Sequence, residues 1–205
     1  MRTVRDGEHE TVVKRSRFVC AVSRVTDEDA AREFVRQRRK LHPAARHHCY
    51  AYVVGEDAPT QKSSDDGEPS GTAGVPMLET LHRNELTDTV AVVSRHFGGV
   101  LLGAGGLVRA YGGAVSATLE HVGLAERRPV RVVSATVDHG LAGRLENHLR
   151  AAGHRIADVH YGEDVRFDLR IPGFEVDAFE EWLAEATAGA ASVERGTLTH
   201  VDVDL

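Results

Sequence analysis

Two stretches of this 205-residue chain combine residue types that can do chemistry. The first is Asp65-Asp66-Gly67-Glu68-Pro69-Ser70-Gly71-Thr72-Ala73-Gly74. The second begins Arg95-His96-Phe97-Gly98-Gly99 and resumes as Leu102-Gly103-Ala104-Gly105-Gly106-Leu107-Val108-Arg109-Ala110-Tyr111. Gly98, Gly99, Gly103, Gly105 and Gly106 permit positive φ and close backbone approach. Backbone N–H groups at the start of a helix form an anion site, and Arg95 and Arg109, which bracket this turn, are suited to phosphate oxygens. No GK[ST] follows, so the turn is not a P-loop. Val108 stands where GxGxxG needs its third glycine, so it is not a Rossmann fingerprint either. Two readings stay open: an anion or RNA-backbone site, and a tight turn that lets helix and sheet pack closely.

In the acidic run, Asp65, Asp66 and Glu68 are candidates to hold a hard cation, with Glu68 also a candidate base. The spacing is no EF-hand, and Pro69, Gly71 and Gly74 suit a shaped backbone. A recognition loop is the preferred reading, with Asp66 and Glu68 as contacts and Lys62 as a cation just before them. His42, His47, His48 and Cys49 are close in sequence. On a strand, however, His47 and Cys49 point opposite to His48, which favours packing or hydrogen bonding over zinc. His96 beside Arg95 is a candidate contact, but no Ser-His-Asp or Cys-His order is readable. Phe97 and Tyr111 are either base-stacking groups or core. No catalytic residue, metal or cofactor is expected.

The elements that must position these residues follow from periodicity and breakers. Phe18–Val25 alternates as a strand. Thr26 is expected to cap a helix that begins at Asp27-Glu28-Asp29 and ends at His42-Pro43. The cationic run Arg36–Lys40 ends that helix and complements its dipole, or forms a patch for an acidic partner. His47–Val54 is strand-like, residues 56–74 read as a long loop, and Met77–Glu85 as a short helix. Thr89–Ser94 is a buried-type strand, and Gly105–Val122 a helix that starts inside the glycine turn. Beyond that, Val130–Val137, Leu141–Ala152, His154–Tyr161, Val165–Ile171, Val176–Ala188 and Val193–Leu205 run β-α-β-β-α-β, the ferredoxin-like order.

Composition sets the frame. Hydrophobic residues are 41% and charged residues 27%, an ordinary globular chain. The net charge of −6 divides into +1 over residues 1–128 and −7 over 129–205. With Pro129 after Glu126-Arg127-Arg128 as a joint, this predicts domains at 1–128 and 129–205. The acidic second half is unsuited to coating nucleic acid. Arg95 and Arg109 interrupt the longest uncharged run before it can span a membrane. The opening MRTVRDGEHE has no apolar stretch behind its arginines, and there are only two cysteines, so a reduced, cytoplasmic protein is expected.

His42, the strand His47-His48-Cys49-Tyr50-Ala51-Tyr52 and the two runs, in this order, closely resemble the bacterial YigZ branch of the IMPACT family of translation-linked proteins. The resemblance covers residues 16–122, and the second half fits the two-domain bacterial members. His96 departs from the aromatic residue usual there, and Leu101 from a lysine, which weakens a phosphate reading at that spot. The resemblance implies an α+β chain. Its N-terminal domain would be a left-handed βαβ domain like those of ribosomal proteins and domain IV of elongation factor G. Its C-terminal domain would be ferredoxin-like, as in domain V of that factor. It also implies a non-enzymatic, translation-associated regulator that binds RNA, the ribosome or a ribosome-bound factor through the N-terminal domain. Two alternatives stay open: a protein–protein interaction module without RNA contact, and an enzyme acting on a phosphorylated small molecule.

Overall fold

The computed structural model describes residues 1–55 and 59–204. The chain divides into two compact units. The first holds residues 1–126 with the end of the chain from Val203, and the second Arg127–Asp202.

The first unit is built on a sheet of β2 (Gly7–Val13), β3 (Ser16–Arg24), β6 (Thr89–His96), β4 (His47–Val54) and β5 (Thr60–Ser64), in that spatial order. Every neighbouring pair is antiparallel. Helix α1 (Glu28–Leu41) covers one face, where Ala31 and Val35 pack with Tyr52, Val54, Val90 and Val92. Helices α2 (Gly74–Arg83) and α3 (Ala104–Val122) cover the other, where Met77, Leu81, Leu107 and Tyr111 pack with Phe18, Cys20, Cys49 and Val93. A central strand buried on both faces cannot alternate with polar residues, which is why β6 reads as the unbroken run Thr-Val-Ala-Val-Val-Ser.

Two local expectations are corrected. The cap of α1 is Asp27, not Thr26; the Asp27 carboxylate accepts the Ala30 N–H at 2.8 Å. The loop expected over 56–74 contains a strand, β5, paired with the edge of β4. Its sequence, Thr-Gln-Lys-Ser-Ser, has no apolar alternation, because an edge strand with exposed side chains needs none. Residues 56–58 of that expected loop lie outside the described residues. Helix α3 begins at Gly103 (φ 74°) with no side-chain cap and ends at Gly123 (φ 82°).

The joint expected at Glu126–Pro129 is strand. β7 runs unbroken from Leu124 to Val137. Its first residues pair with β1 (Arg2–Val4) in the first unit, and Val130–Val137 pair with β9 (Val165–Pro172) in the second. Pro129 is exposed and falls between these two pairings.

The second unit contains α4 (His139–Ala151), β8 (Ile156–Tyr161), β9, α5 (Val176–Thr187) and β10 (Ser192–Asp204) after β7, the ferredoxin-like succession. The strand order is β10-β7-β9-β8. Val133, Ala135, Phe167 and Leu169 share one core with Leu145 and Leu149 of α4 and Phe179 and Leu183 of α5, so both helices lie on one face of this sheet.

Candidate functional site

The three acids of the first run are tethered to three places. The Asp65 carboxylate accepts the N–H groups of Gly71 (2.8 Å), Ala73 (2.9 Å) and Gly74 (2.8 Å), and so caps α2 from a distance. Burial alone would raise its pKa, but these three donors outweigh it and hold the carboxyl below its ordinary value. Asp66, in a left-handed conformation (φ 42°), accepts the His48 N–H at 2.7 Å and pairs with Arg39 of α1 at 2.5 Å. Glu68 turns inward: its Oε1 receives Arg95 Nη1 at 2.5 Å and the Tyr111 hydroxyl at 2.8 Å.

Arg95 and Glu68 are thus buried partners, 6% and 9% exposed. The guanidinium also lies 5.4 Å from the Phe18 ring and 5.6 Å from the Phe97 ring. Glu68, read from sequence as a contact or a base, is an interior anchor that joins the acidic run to the glycine run. The histidines serve the same frame. His47 Nδ1 bonds the Asp66 carbonyl and His48 Nδ1 the Ser94 hydroxyl, both at 2.9 Å, while Cys49 Sγ donates to the Asp65 carbonyl. Burial pushes the Cys49 thiol up to about 12, so it is no nucleophile at neutral pH. Among the described residues there is no group of three or more His, Cys, Asp or Glu that fits a metal ion.

A cleft of about 340 Å³ opens beside this anchor, lined among others by Arg46, Glu68, Arg95, Phe97, Leu101 and Gly103. Arg109 lines a separate, smaller cavity with Lys14 and Gly106. The two bracketing arginines therefore do not share a cleft. His96 lies outside both, 6.0 Å ring to ring from His42. Lys62 is exposed on β5, opposite Tyr52, and lies outside the cleft lining.

The glycines differ in role. A Cβ on Gly98 would lie 2.0 Å from the Arg15 carbonyl oxygen, so Gly98 exists for close packing against the β2–β3 turn. Gly99 (φ 83°) and Gly103 (φ 74°) face open space and are there for their backbone angles. At Gly106 a Cβ would meet Leu102 at 3.0 Å, and at Gly105 only the end of Arg109 at 3.6 Å.

The β2–β3 turn adds cations beyond the expected site residues. Val13 pairs with Ser16, so Lys14 and Arg15 form a two-residue hairpin loop, both with positive φ (45° and 69°). Such turns favour Asn-Gly, and two long cationic side chains there are held against backbone preference. The sequence signal was present as Lys14-Arg15-Ser16-Arg17, three cations in four residues. Register places Arg17 opposite His96, and His47 opposite Arg95, so the turn, the β4 start and the glycine run meet at one end of the sheet. Lys14, Arg15, Arg46 and Arg109 are exposed.

Residues 14–119 match the Impact N-terminal domain, and residues 136–190 match a domain of unknown function, DUF1949. The chain is 48% identical over 196 residues to the IMPACT family member YvyE of Bacillus subtilis (strain 168), covering 96% of this chain and 90% of that protein. It is 36% identical over 180 residues to the IMPACT family member YigZ of Escherichia coli (strain K12), covering 87% and 88%. A crystal structure of a hypothetical protein superposes with a TM-score of 0.61 at 33% identity, covering 96% of both chains. A domain match across half the chain, and relatives similar along nearly its whole length, mean that this chain belongs to the IMPACT family, in its two-domain form.

Proposed function

We propose that the chain is a translation-associated regulator whose first unit binds RNA, free or in the ribosome, at the end of the sheet where the glycine run lies. The carrying observation is the gathering there of four exposed cations, Lys14, Arg15, Arg46 and Arg109, around the α3 N-terminus. Phosphodiester backbones are held by such cations and by helix N-termini. Phe97, 42% exposed, adds a surface on which a base can stack. The family's link to translation supports the same direction.

The test is binding of the purified chain to ribosomes and short RNAs across a salt series, beside a variant carrying Lys14→Ala, Arg15→Ala and Arg46→Ala. Expected is affinity that falls with salt, with a slope reduced by roughly 0.7–0.9 for each phosphate-contacting cation removed. No binding at low salt overturns the reading. A protein-partner reading draws on Val100, Leu101 and Val108, apolar and exposed in the same segment. Capture that is indifferent to salt favours it.

A further inference from the structure

The apolar part of the glycine run is a ridge between two hollows. Leu102 lines both the cleft of about 340 Å³ and the smaller cavity of about 170 Å³. Arg46 stands on the lining of the first, and Lys14 and Arg109 on that of the second. Exposed cations therefore flank the ridge on both sides. Among the described residues the two linings hold one carboxylate, Glu68, and Arg95 neutralises it. Both hollows are left positive.

Leu101 is the crest of this ridge. It is 82% exposed, while Leu102 beside it packs against the core of the first unit. Phe97 lines the same cleft as Leu101, and Val100 next to it is exposed as well. The crest is held in place. Gly98 sits against the Arg15 backbone, its N–H donates to Ser16 Oγ at 3.2 Å, and the Phe97 ring lies 5.6 Å from the Arg95 guanidinium. Apolar side chains gathered on an exposed ridge with a polar rim mark an interaction site.

What covers this ridge must be anionic on both flanks and apolar between them. A regular RNA duplex does not fit. Its bases are stacked inside, and its outer surface is phosphate and 2′-hydroxyl, so Leu101 would be pressed against charge. Unpaired nucleotides do fit, because they offer the apolar faces of their bases between consecutive phosphates.

We propose that this end of the sheet selects RNA with unpaired nucleotides, a bulge, a loop or a single strand. The bases lie on Leu101 and Phe97, and the phosphates on either side meet Arg46 and the cations Lys14 and Arg109. The inference rests on the RNA reading above and names the class of RNA it takes.

The experiment is fluorescence-anisotropy binding of the full chain to three labelled RNAs at one low salt concentration. They are a short perfectly paired duplex, the same duplex with two unpaired uridines, and a short oligouridylate. The bulged duplex and the single strand are expected to bind roughly ten-fold tighter than the perfect duplex. Leu101→Ser is expected to erase that preference while the salt slope stays, since no cation is removed. Leu101→Lys is expected to strengthen all three and erase the preference too. Both variants are expected to keep the parent unfolding midpoint, because the side chain they replace is exposed. In a second readout, 2-aminopurine placed beside the bulge is expected to brighten with the parent chain, as its neighbour is unstacked, and not with Leu101→Ser.

A perfect duplex that binds as tightly as the other two RNAs overturns this inference, and so does Leu101→Ser with its preference intact. In either case salt-dependent binding leaves the RNA reading standing. If none of the three RNAs binds at low salt, both fall together.

Discussion

Arg95 and Glu68, 27 residues apart, meet in the interior with Nη1 2.5 Å from Oε1, side chains 7% and 4% exposed. Removing one member of such a pair leaves a charge buried alone, which costs about 3–5 kcal/mol. Glu68→Ala is expected to destabilise the first unit by that order. The double variant Glu68→Gln with Arg95→Met is expected to recover much of the loss. Tyr111→Phe, which removes the hydroxyl that donates to Glu68, is expected to cost about 1–2 kcal/mol. Denaturant unfolding of the set, with Glu68→Gln and Arg95→Met added singly to close the double-mutant cycle, checks all three.

Asp65→Ala is expected to destabilise by about 2 kcal/mol or more, because three backbone N–H groups lose a charged acceptor together. The Asp65 carboxyl is held below its ordinary value in the folded chain. The stability it contributes is therefore present above about pH 4 and lost as pH falls through the lowered folded-state value. Comparing the acid limb of unfolding in the parent and in Asp65→Asn reads this contribution directly.

Gly98 and Gly99 are adjacent and are expected to respond to alanine for different reasons. Gly98→Ala drives a Cβ into the Arg15 backbone, and overpacking against backbone costs about 1–3 kcal/mol or more. Gly99→Ala meets only open space, so its cost is the left-handed backbone alone, about 1–2 kcal/mol. Replacing Lys14-Arg15 with Asn-Gly, which suits the two-residue turn, is expected to raise the unfolding midpoint while weakening RNA binding.

His154 packs against Phe179 and Trp182, with ring centroids 4.9 and 5.0 Å away. Burial lowers its pKa below the ordinary histidine value. Stability from this site is full above about pH 6.5 and drains as pH falls through the lowered folded-state value, because the unfolded chain takes up the proton first. Trp182 is the chain's single tryptophan, so its fluorescence follows the second unit. The midpoint read at Trp182 is expected to fall between about pH 7 and pH 5, and less steeply in His154→Gln.

Much of this was legible in the residues. The apolar run of β6, the strand-like run of β4 and the β-α-β-β-α-β rhythm after Pro129 all mark their elements. What escaped was written in weaker signals. β5 is polar because it is an edge, and β2, Gly-Glu-His-Glu-Thr-Val-Val, is charged for the same reason. Thr26 and Asp27 are both good caps, and only backbone geometry chooses between them. The partners of Glu68 were not readable, since nothing local tells a carboxylate that faces solvent from one that faces an arginine 27 residues on. Lys14 and Arg15 were in plain view, but their place beside Gly98 depends on strand pairing.

The loop Asp65–Glu68 is fastened to α1, to the starts of α2 and β4, and, through Glu68, to β6 and α3. Asp66 and Glu68 have distant side-chain counterparts, whereas Asp65 holds only nearby backbone N–H groups. In descendants of this sequence, drift at Asp66 should therefore travel with Arg39, and drift at Glu68 with Arg95 and Tyr111, while Asp65 travels with neither. Two independent patterns of co-inheritance, beside one position tied only to backbone, would be the genealogical imprint of one loop answering to separate masters.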